Sequence, residues 1–378
     1  MSGLFSRIRY PVERRGAERY LRLTLLAFAA TVVLTRLFLS FTGYPRLGGG
    51  SLHIAHMLWG GLLLFTACLL PLILANRWVY PLTGFLSGVG VGLFIDEVGK
   101  FITQTNDYFY PAAAPIIYAF FLLTVLLYLR VRRPDPQDPR TELYRAFDAL
   151  SEVLDHDLDE RERAALEKRL QWVAQQQSHP EMAALARSLL EFVVVDAVVV
   201  PSEGPTFAER LWHQVRVIED RYVCPARLKL ALIAGLGFLG IPAIVAPVSL
   251  LLAAWTRSVD PTALEGIVMA AANGSAGSPL GWAWARLLLS GVAGFPLLVA
   301  AVFFLIRWNH LGAELAYFGL MGYLAVVNLL VFYFDQFQAI IGAMLQFILL
   351  RAVIYYRQRY LSNRPISKEP EIGLRAED

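Results

Sequence analysis

The sequence has little charge and almost no cysteine. Only 17% of its 378 residues are charged, whereas soluble domains carry about 25%, and this excludes a soluble enzyme and a disordered regulator. The two cysteines differ in context, because Cys68 lies inside an apolar run and Cys224 just precedes another. They predict neither a disulfide framework nor a metal-ligand spacing.

Long apolar runs take the place of the missing charge. Hydrophobic residues make up 56% of the chain, and runs of 18 or more such residues can cross a hydrocarbon core of about 30 Å. We therefore predict an all-α membrane protein with about eight transmembrane helices, four on each side of a polar insert. The predicted spans are 21–41, 52–75, 79–102, 112–130, 227–254, 283–306, 312–334 and 336–355.

The basic residues lie at alternate ends of these spans and so predict the orientation. They precede span one and follow spans four, six and eight, and the positive-inside rule places such ends in the cytoplasm. The cytoplasmic parts are then the N-terminal segment 1–20, the insert 131–226 and the C-terminal tail 357–378, while 21–130 and 227–356 hold the spans. The net charge of +3 reflects this topology and does not indicate nucleic-acid binding.

The composition of the insert predicts a small helical domain. A Pro-rich linker, Pro134 to Pro139, ends span four, because proline cannot continue a helix. After it, Leu166, Leu170 and Val173 recur at helical spacing. Acidic and basic residues are interleaved, so we predict a solvated helical bundle that offers a surface to a cytoplasmic protein partner.

Ionisable side chains inside the spans are the functional candidates, because charge is costly in hydrocarbon. His53 and His56 share one helix face at the start of span two, and Asp96 and Glu97 lie near the end of span three. The orientation brings both places to the outer surface. Three more charged residues reach the same depth, and the candidate pocket consists of His53, His56, Asp96, Glu97, Arg36, Lys100 and Asp107.

Span three also carries a stripe of small residues. Gly84, Gly88 and Gly92 repeat every four residues, which lets a neighbouring helix approach closely. Asp96 continues this stripe by one step. We therefore expect Asp96 to point into the bundle and away from lipid.

Three interpretations of the pocket remain open. In the first, the pocket binds a polar head group or a divalent metal such as Zn or Fe, which would suit a metal-dependent membrane enzyme. In the second, His and carboxylate groups relay protons for a coupled small-molecule transporter. In the third, Arg36 and Lys100 neutralise the two carboxylates, and the protein is a non-catalytic scaffold or signalling protein. The candidate metal ligands are His53, His56, Asp96 and Glu97.

The transport interpretation needs polar groups near the middle of the membrane. Gln346 is nearly alone at that depth, with Ser87 and Thr66 as modest companions. Asn328 and Asp335 fall at the outer side by the same reckoning. This distribution favours an outward-facing pocket over a channel.

Two motifs resemble an uncharacterised family of bacterial integral membrane proteins. One is a His turn before Trp-Gly, from Leu52 to Gly60, and the other is a Gly-x-Gly-Leu…Asp-Glu segment, from Gly90 to Glu97. A polar and aromatic turn similar to Asn106-Asp107-Tyr108 follows in that family, which often carries a further His where this chain has Ala55. The resemblance covers roughly residues 50 to 120 and implies a bacterial plasma membrane location, without implying a reaction.

Overall fold

The structure is a computed structural model that describes residues 12–43, 55–105, 107–108, 110–132, 138–154, 158–195, 224–256, 260–274 and 279–361. Within these ranges the regular secondary structure is helical. The α-helices in chain order are α1 Ala17–Thr42, α2 His56–Ile73, α3 Val79–Asp96, α4 Val98–Ile102, α5 Ala113–Val131, α6 Pro139–Leu154, α7 Glu160–Ala174, α8 Pro180–Val195, α9 Pro225–Trp255, α10 Pro261–Ala271, α11 Leu280–Leu305, α12 Asn309–Gly322, α13 Asn328–Asp335 and α14 Ala339–Tyr356.

Seven helical stretches in the described residues are long and apolar enough to cross a membrane. Six are α1, α2, α3, α5, α9 and α11, and the seventh is the 53-residue run Asn309–Leu361. This confirms the all-α fold in the described residues and is compatible with a multi-pass membrane protein. The seventh run covers both predicted spans 312–334 and 336–355, and Gln336, at a positive φ of 49°, interrupts it between α13 and α14. Helices α12 and α14 pack against each other, so the run folds back on itself.

The chain forms two compact units, Met1–Tyr110 with Ala119–Glu209, and Pro111–Tyr118 with Arg210–Asp378. In the first unit α3 packs along α1 through its glycines. A Cβ on Gly84 would lie 3.0 Å from the backbone oxygen of Tyr20, and one on Gly92 would lie 2.7 Å from the Cβ of Thr31. Because both residue numbers rise together, α1 and α3 run parallel. The predicted close approach along the glycine stripe is confirmed.

A second glycine face joins α3 to α2. A Cβ on Gly60 would lie 2.8 Å from the backbone oxygen of Gly90 and 2.7 Å from the backbone nitrogen of Phe94. Such distances are too short for any side chain, so this crossing needs glycine. Helix α3 therefore packs closely on both of its neighbours.

Helices α6, α7 and α8 share a small core, as the polar insert predicts. Leu166, Leu170 and Val173 are all buried in it. Helix α7 begins with a capping box, in which the Asp159 side chain accepts a hydrogen bond from the backbone N–H of Glu162 and the Glu162 side chain accepts one from the backbone N–H of Asp159. Residues 196–223 of the predicted insert lie outside the described residues.

The core of the second unit joins α9, α11, α12 and α14. Its fully buried members include Leu236, Leu297, Leu320 and Val353. Helix α10 lies between the predicted spans 227–254 and 283–306 and packs through Val268 in a smaller cluster with α11.

Candidate functional site

Two consecutive carboxylates end the third helix of the first unit. Asp96 is the last residue of α3, and Glu97 has φ −92° and ψ 8° before α4 begins. Both are buried, with relative exposures of 0% and 1%. The helix breaks between them, and each of these neighbouring side chains pairs with its own cation, Asp96 with Arg36 and Glu97 with Lys100.

Arg36 of α1 makes the closest ion pair of the site. Its Nε donates a hydrogen bond to Asp96 Oδ1 at 2.6 Å, and its Nη2 donates to the backbone oxygen of Asp96 at 2.9 Å. The Arg36 side chain is only 7% exposed. Buried charges are tolerated when they are paired in this way, so the pair fixes the end of α1 against the end of α3.

His56, the first residue of α2, lies between the two carboxylates. Its Nε2 is 3.2 Å from Asp96 Oδ2, and its Nδ1 is 3.3 Å from Glu97 Oε1. Each ring nitrogen therefore faces a carboxylate oxygen.

Lys100 and Tyr108 complete the group. Lys100 Nζ donates to Glu97 Oε1 at 2.8 Å, and the Tyr108 hydroxyl donates to Asp96 Oδ2 at 2.7 Å. The Tyr108 ring also covers the Arg36 guanidinium, with 4.1 Å from Cζ to the ring centroid. We call Arg36, His56, Asp96, Glu97, Lys100 and Tyr108 the His56 cluster.

The charges of the His56 cluster balance when the imidazole is neutral. Arg36 and Lys100 then offset Asp96 and Glu97. One acceptor is left over, because no group in the described part of the chain hydrogen-bonds the buried Oε2 of Glu97.

Five of the seven predicted pocket residues meet in the structure: Arg36, His56, Asp96, Glu97 and Lys100. His53 lies outside the described residues. Asp107 is exposed, and its backbone N–H donates to Thr103 Oγ1 at 2.8 Å. The sequence analysis notes Tyr108 in the outer turn but does not include it in the pocket.

The structure does not support the predicted metal site at His56, Asp96 and Glu97. Among the described residues, no three or more His, Cys, Asp or Glu side chains form a group that could hold a metal ion. The physical reason is that Arg36 and Lys100 contact the carboxylate oxygens that a cation would need. His53, the fourth proposed ligand, cannot be placed within the described ranges.

A second polar group lies in the second unit. Asn328 Nδ2 donates to Gln346 Oε1 at 2.8 Å and lies 3.3 Å from the Tyr118 hydroxyl. That hydroxyl donates to the backbone oxygen of Leu324 at 2.7 Å, within a π-helical turn, Tyr323–Val327. Gln346 is therefore paired inside the protein. Asn328 lies beside it.

The second unit contains an ion pair, Arg286 with Asp335, that the sequence does not predict. Arg286 of α11 donates from both Nη atoms to Asp335, at 2.9 and 2.6 Å, and Asn273 Nδ2 donates to the same carboxylate at 2.8 Å. The available signal was an arginine near the start of predicted span six, since intramembrane charges are costly unless paired.

Comparisons with protein-family models, with curated proteins and with solved structures find no match for this chain. The resemblance of residues 50 to 120 to a bacterial membrane family therefore stays a prediction.

Proposed function

We propose that this chain is a proton-binding membrane protein, and that one exchangeable proton is held between His56, Asp96 and Glu97. The observation that carries this is the pair of distances from the two ring nitrogens of His56 to two different carboxylates, 3.2 and 3.3 Å. A neutral imidazole has one N–H donor and one acceptor nitrogen. With both carboxylates ionised, an acceptor nitrogen would therefore face an acceptor oxygen.

One added proton removes this conflict. An imidazolium donates from both nitrogens, and a protonated carboxyl group would instead donate to the imidazole. In either form the proton completes a hydrogen bond between α2 and α3. Loss of the proton weakens that link, since His56 then contacts only one of the two carboxylates favourably.

The position of the cluster suits a proton-linked movement. Arg36 belongs to α1, His56 to α2 and the carboxylates to the end of α3, so the proton lies where three helices meet. His56 is 20% exposed while Asp96 is fully buried, so in this proposal the proton exchanges through the imidazole. Such a site is what a proton-coupled transporter or a proton-responsive signalling protein requires.

For the cellular setting we propose the bacterial plasma membrane, with both termini and the α6–α8 bundle in the cytoplasm. Support comes from the basic residues at one end of the spans. We also propose eight spans, because the 53-residue run folds back at Gln336.

The test is a direct measurement of protonation in the full-length protein. Histidine labelled with ¹⁵N would be observed by NMR in lipid nanodiscs between about pH 5 and pH 8, and carboxyl protonation would be followed by infrared spectroscopy. We expect either two protonated nitrogens on His56 or a protonated carboxyl band that Asp96→Asn or Glu97→Gln removes. His310→Gln is the matched control, because His310 is exposed at the start of α12.

Two results would overturn the proposal. One is a neutral His56 beside two ionised carboxylates throughout this pH range. The other is stoichiometric Zn or Fe in the purified protein that His56→Gln abolishes, which would restore the metal interpretation.

A further inference from the structure

A cavity of about 610 Å³ lies where the chain before α1 meets the end of α5 and helices α6 and α7. All of its lining residues belong to the first unit. This volume falls in the range of small-ligand sites. We call it the basic cavity.

Basic side chains outnumber acidic ones around it. The acidic lining residues are Glu13, Glu18 and Glu142. The basic lining residues are Arg14, Arg15, Arg132, Arg145, Lys168 and Arg169. The wall therefore carries a surplus of positive charge.

Neighbouring carboxylates reach some of these cations only loosely. Arg14 lies 3.4 Å from Asp148, and the ion pair of Arg132 with Glu18 spans 3.9 Å. Hydrogen bonds from N–H groups to oxygen span about 2.7–3.2 Å. These pairs therefore leave donor capacity on the cations.

Two guanidinium groups compete for one buried carboxylate. Glu142, whose side chain is 8% exposed, accepts a hydrogen bond from Arg145 at 2.9 Å. Arg169 Nη1 lies 3.7 Å from the other oxygen of Glu142. That distance is too long for a hydrogen bond.

Arg169 consequently has a donor that the described residues do not satisfy. Its Nη1 is buried and has no hydrogen-bond acceptor among them. Burial lowers the pKa of Arg169, and the positive charges of Arg15 and Arg145 lower it further against the opposing effect of Glu142. An additional anion in the cavity would relieve both the missing acceptor and the repulsion.

We propose that the basic cavity binds a phosphate-bearing anion, with Arg169 and Arg145 as its principal ligands. Phosphate oxygens accept paired hydrogen bonds from guanidinium groups, which present a planar fork of donors. The cavity wall includes Gly16, just before α1, and Val131, the last residue of α5. Because the ends of two candidate membrane spans meet here, an anionic phospholipid head group can reach the cavity from the bilayer, and a soluble phosphate can reach it from water.

The test measures binding of defined probes to the full-length protein in neutral detergent. The probes are short-chain phosphatidylglycerol, short-chain phosphatidylcholine and inorganic phosphate, all at one ionic strength. We expect phosphatidylglycerol to bind more tightly than phosphatidylcholine. Arg169→Gln should lower the affinity for phosphatidylglycerol about tenfold. Arg161→Gln, an exposed arginine in the first turn of the same helix and outside the cavity, should change binding less than about twofold.

A second variant keeps the test decisive if Arg169→Gln misfolds. Arg132 is 54% exposed at the cavity wall, so the Arg132→Gln variant should fold normally. Its affinity for phosphatidylglycerol should be about threefold lower than that of the wild type. Tight binding of inorganic phosphate alone, with the same dependence on Arg169, would identify a soluble ligand for the proposed site. Equal binding of all probes by wild type, Arg169→Gln and Arg132→Gln would overturn the proposal.

Discussion

The His56 cluster and the basic cavity both gather charged side chains in the first unit, but they balance those charges differently. In the His56 cluster, Arg36 and Lys100 each contact a buried carboxylate below 3 Å. In the basic cavity, Arg145 and Arg169 share Glu142, and one of the two distances is 3.7 Å.

The difference shows how a network of charges can be complete or incomplete within one fold. A complete network is sensitive to the loss of any member, because the remaining charge is left buried without a partner. A network with surplus positive charge should instead respond to added anions. Mutations that remove one charge at a time can test this contrast.

The largest effect is expected for Asp96→Ala, which leaves the Arg36 guanidinium buried beside a cavity. We expect it to lower the free energy of unfolding by about 3–5 kcal/mol, as for other broken buried pairs. Denaturant titration in mixed micelles measures the free energy of unfolding. Asp107→Ala, at an exposed residue, is the control and should change this free energy by less than about 0.5 kcal/mol. The double variant Arg36→Leu/Asp96→Leu should regain much of the loss. A double variant as unstable as the sum of both single variants would contradict this account.

The glycine faces that position the His56 cluster provide the next test. In Gly88→Ala the new methyl group would collide with the backbone oxygen of Thr24 and with Ala27 on α1, so we expect a loss of about 1–3 kcal/mol. Gly61→Ala is the control, since nothing lies within 4 Å of a Cβ there and alanine favours helix. The same unfolding titration applies, and equal stability of the two variants would show that α1 and α3 do not pack closely.

A smaller effect is expected for Glu142→Gln in the basic cavity. The change leaves Arg145 and Arg169 without their shared carboxylate, and because both are partly exposed the loss should be about 1–2 kcal/mol. Added phosphate should restore part of this stability, measured as a shift in the unfolding temperature. Glu167→Gln, which breaks a partly exposed pair with Arg163 on α7, should lower the free energy of unfolding by about 0.3–0.5 kcal/mol without recovery in phosphate. Equal phosphate responses from both variants would argue against a specific anion effect.

The smallest effect is expected for Arg132→Gln. The ion pair of Arg132 with Glu18 spans 3.9 Å, and both side chains are about half exposed. The free energy of unfolding should therefore change by less than about 0.5 kcal/mol. A larger loss of stability would mean that the positive charges of the basic cavity stabilise the fold through their ion pairs, as those of the His56 cluster do.

The sequence predicts which candidate residues meet better than it predicts how they pair. Span lengths and basic residues predict one level for Arg36, His56, Asp96 and Lys100, and the structure brings these four residues into one cluster. Periodicity also predicts that Asp96 points inward, which is confirmed. The pairing itself depends on how each helix is rotated about its axis, and a single sequence contains little information on that rotation.

Residues at helix ends and in turns account for what the sequence does not predict. The helix break at Glu97 and the contact of Tyr108 with Asp96 both depend on how a turn packs. Turn residues have no helical periodicity from which such contacts could be predicted. The pair of Arg286 and Asp335 joins residues 49 positions apart on different helices. The cavity at Arg169 lies where helices α6 and α7 meet the start of α1 and the end of α5.

The distance along the chain between Arg36 and Asp96 also sets an order for biosynthesis. The two residues are 60 positions apart, so at about 5–20 residues per second the ribosome makes Asp96 several seconds after Arg36. Helices α1 and α2 pack mainly on α3 and cannot complete their contacts until α3 has been synthesised. During that interval the positive charge of Arg36 must be sheltered by water, lipid phosphates or the insertion machinery, and the arrival of Asp96 ends this need.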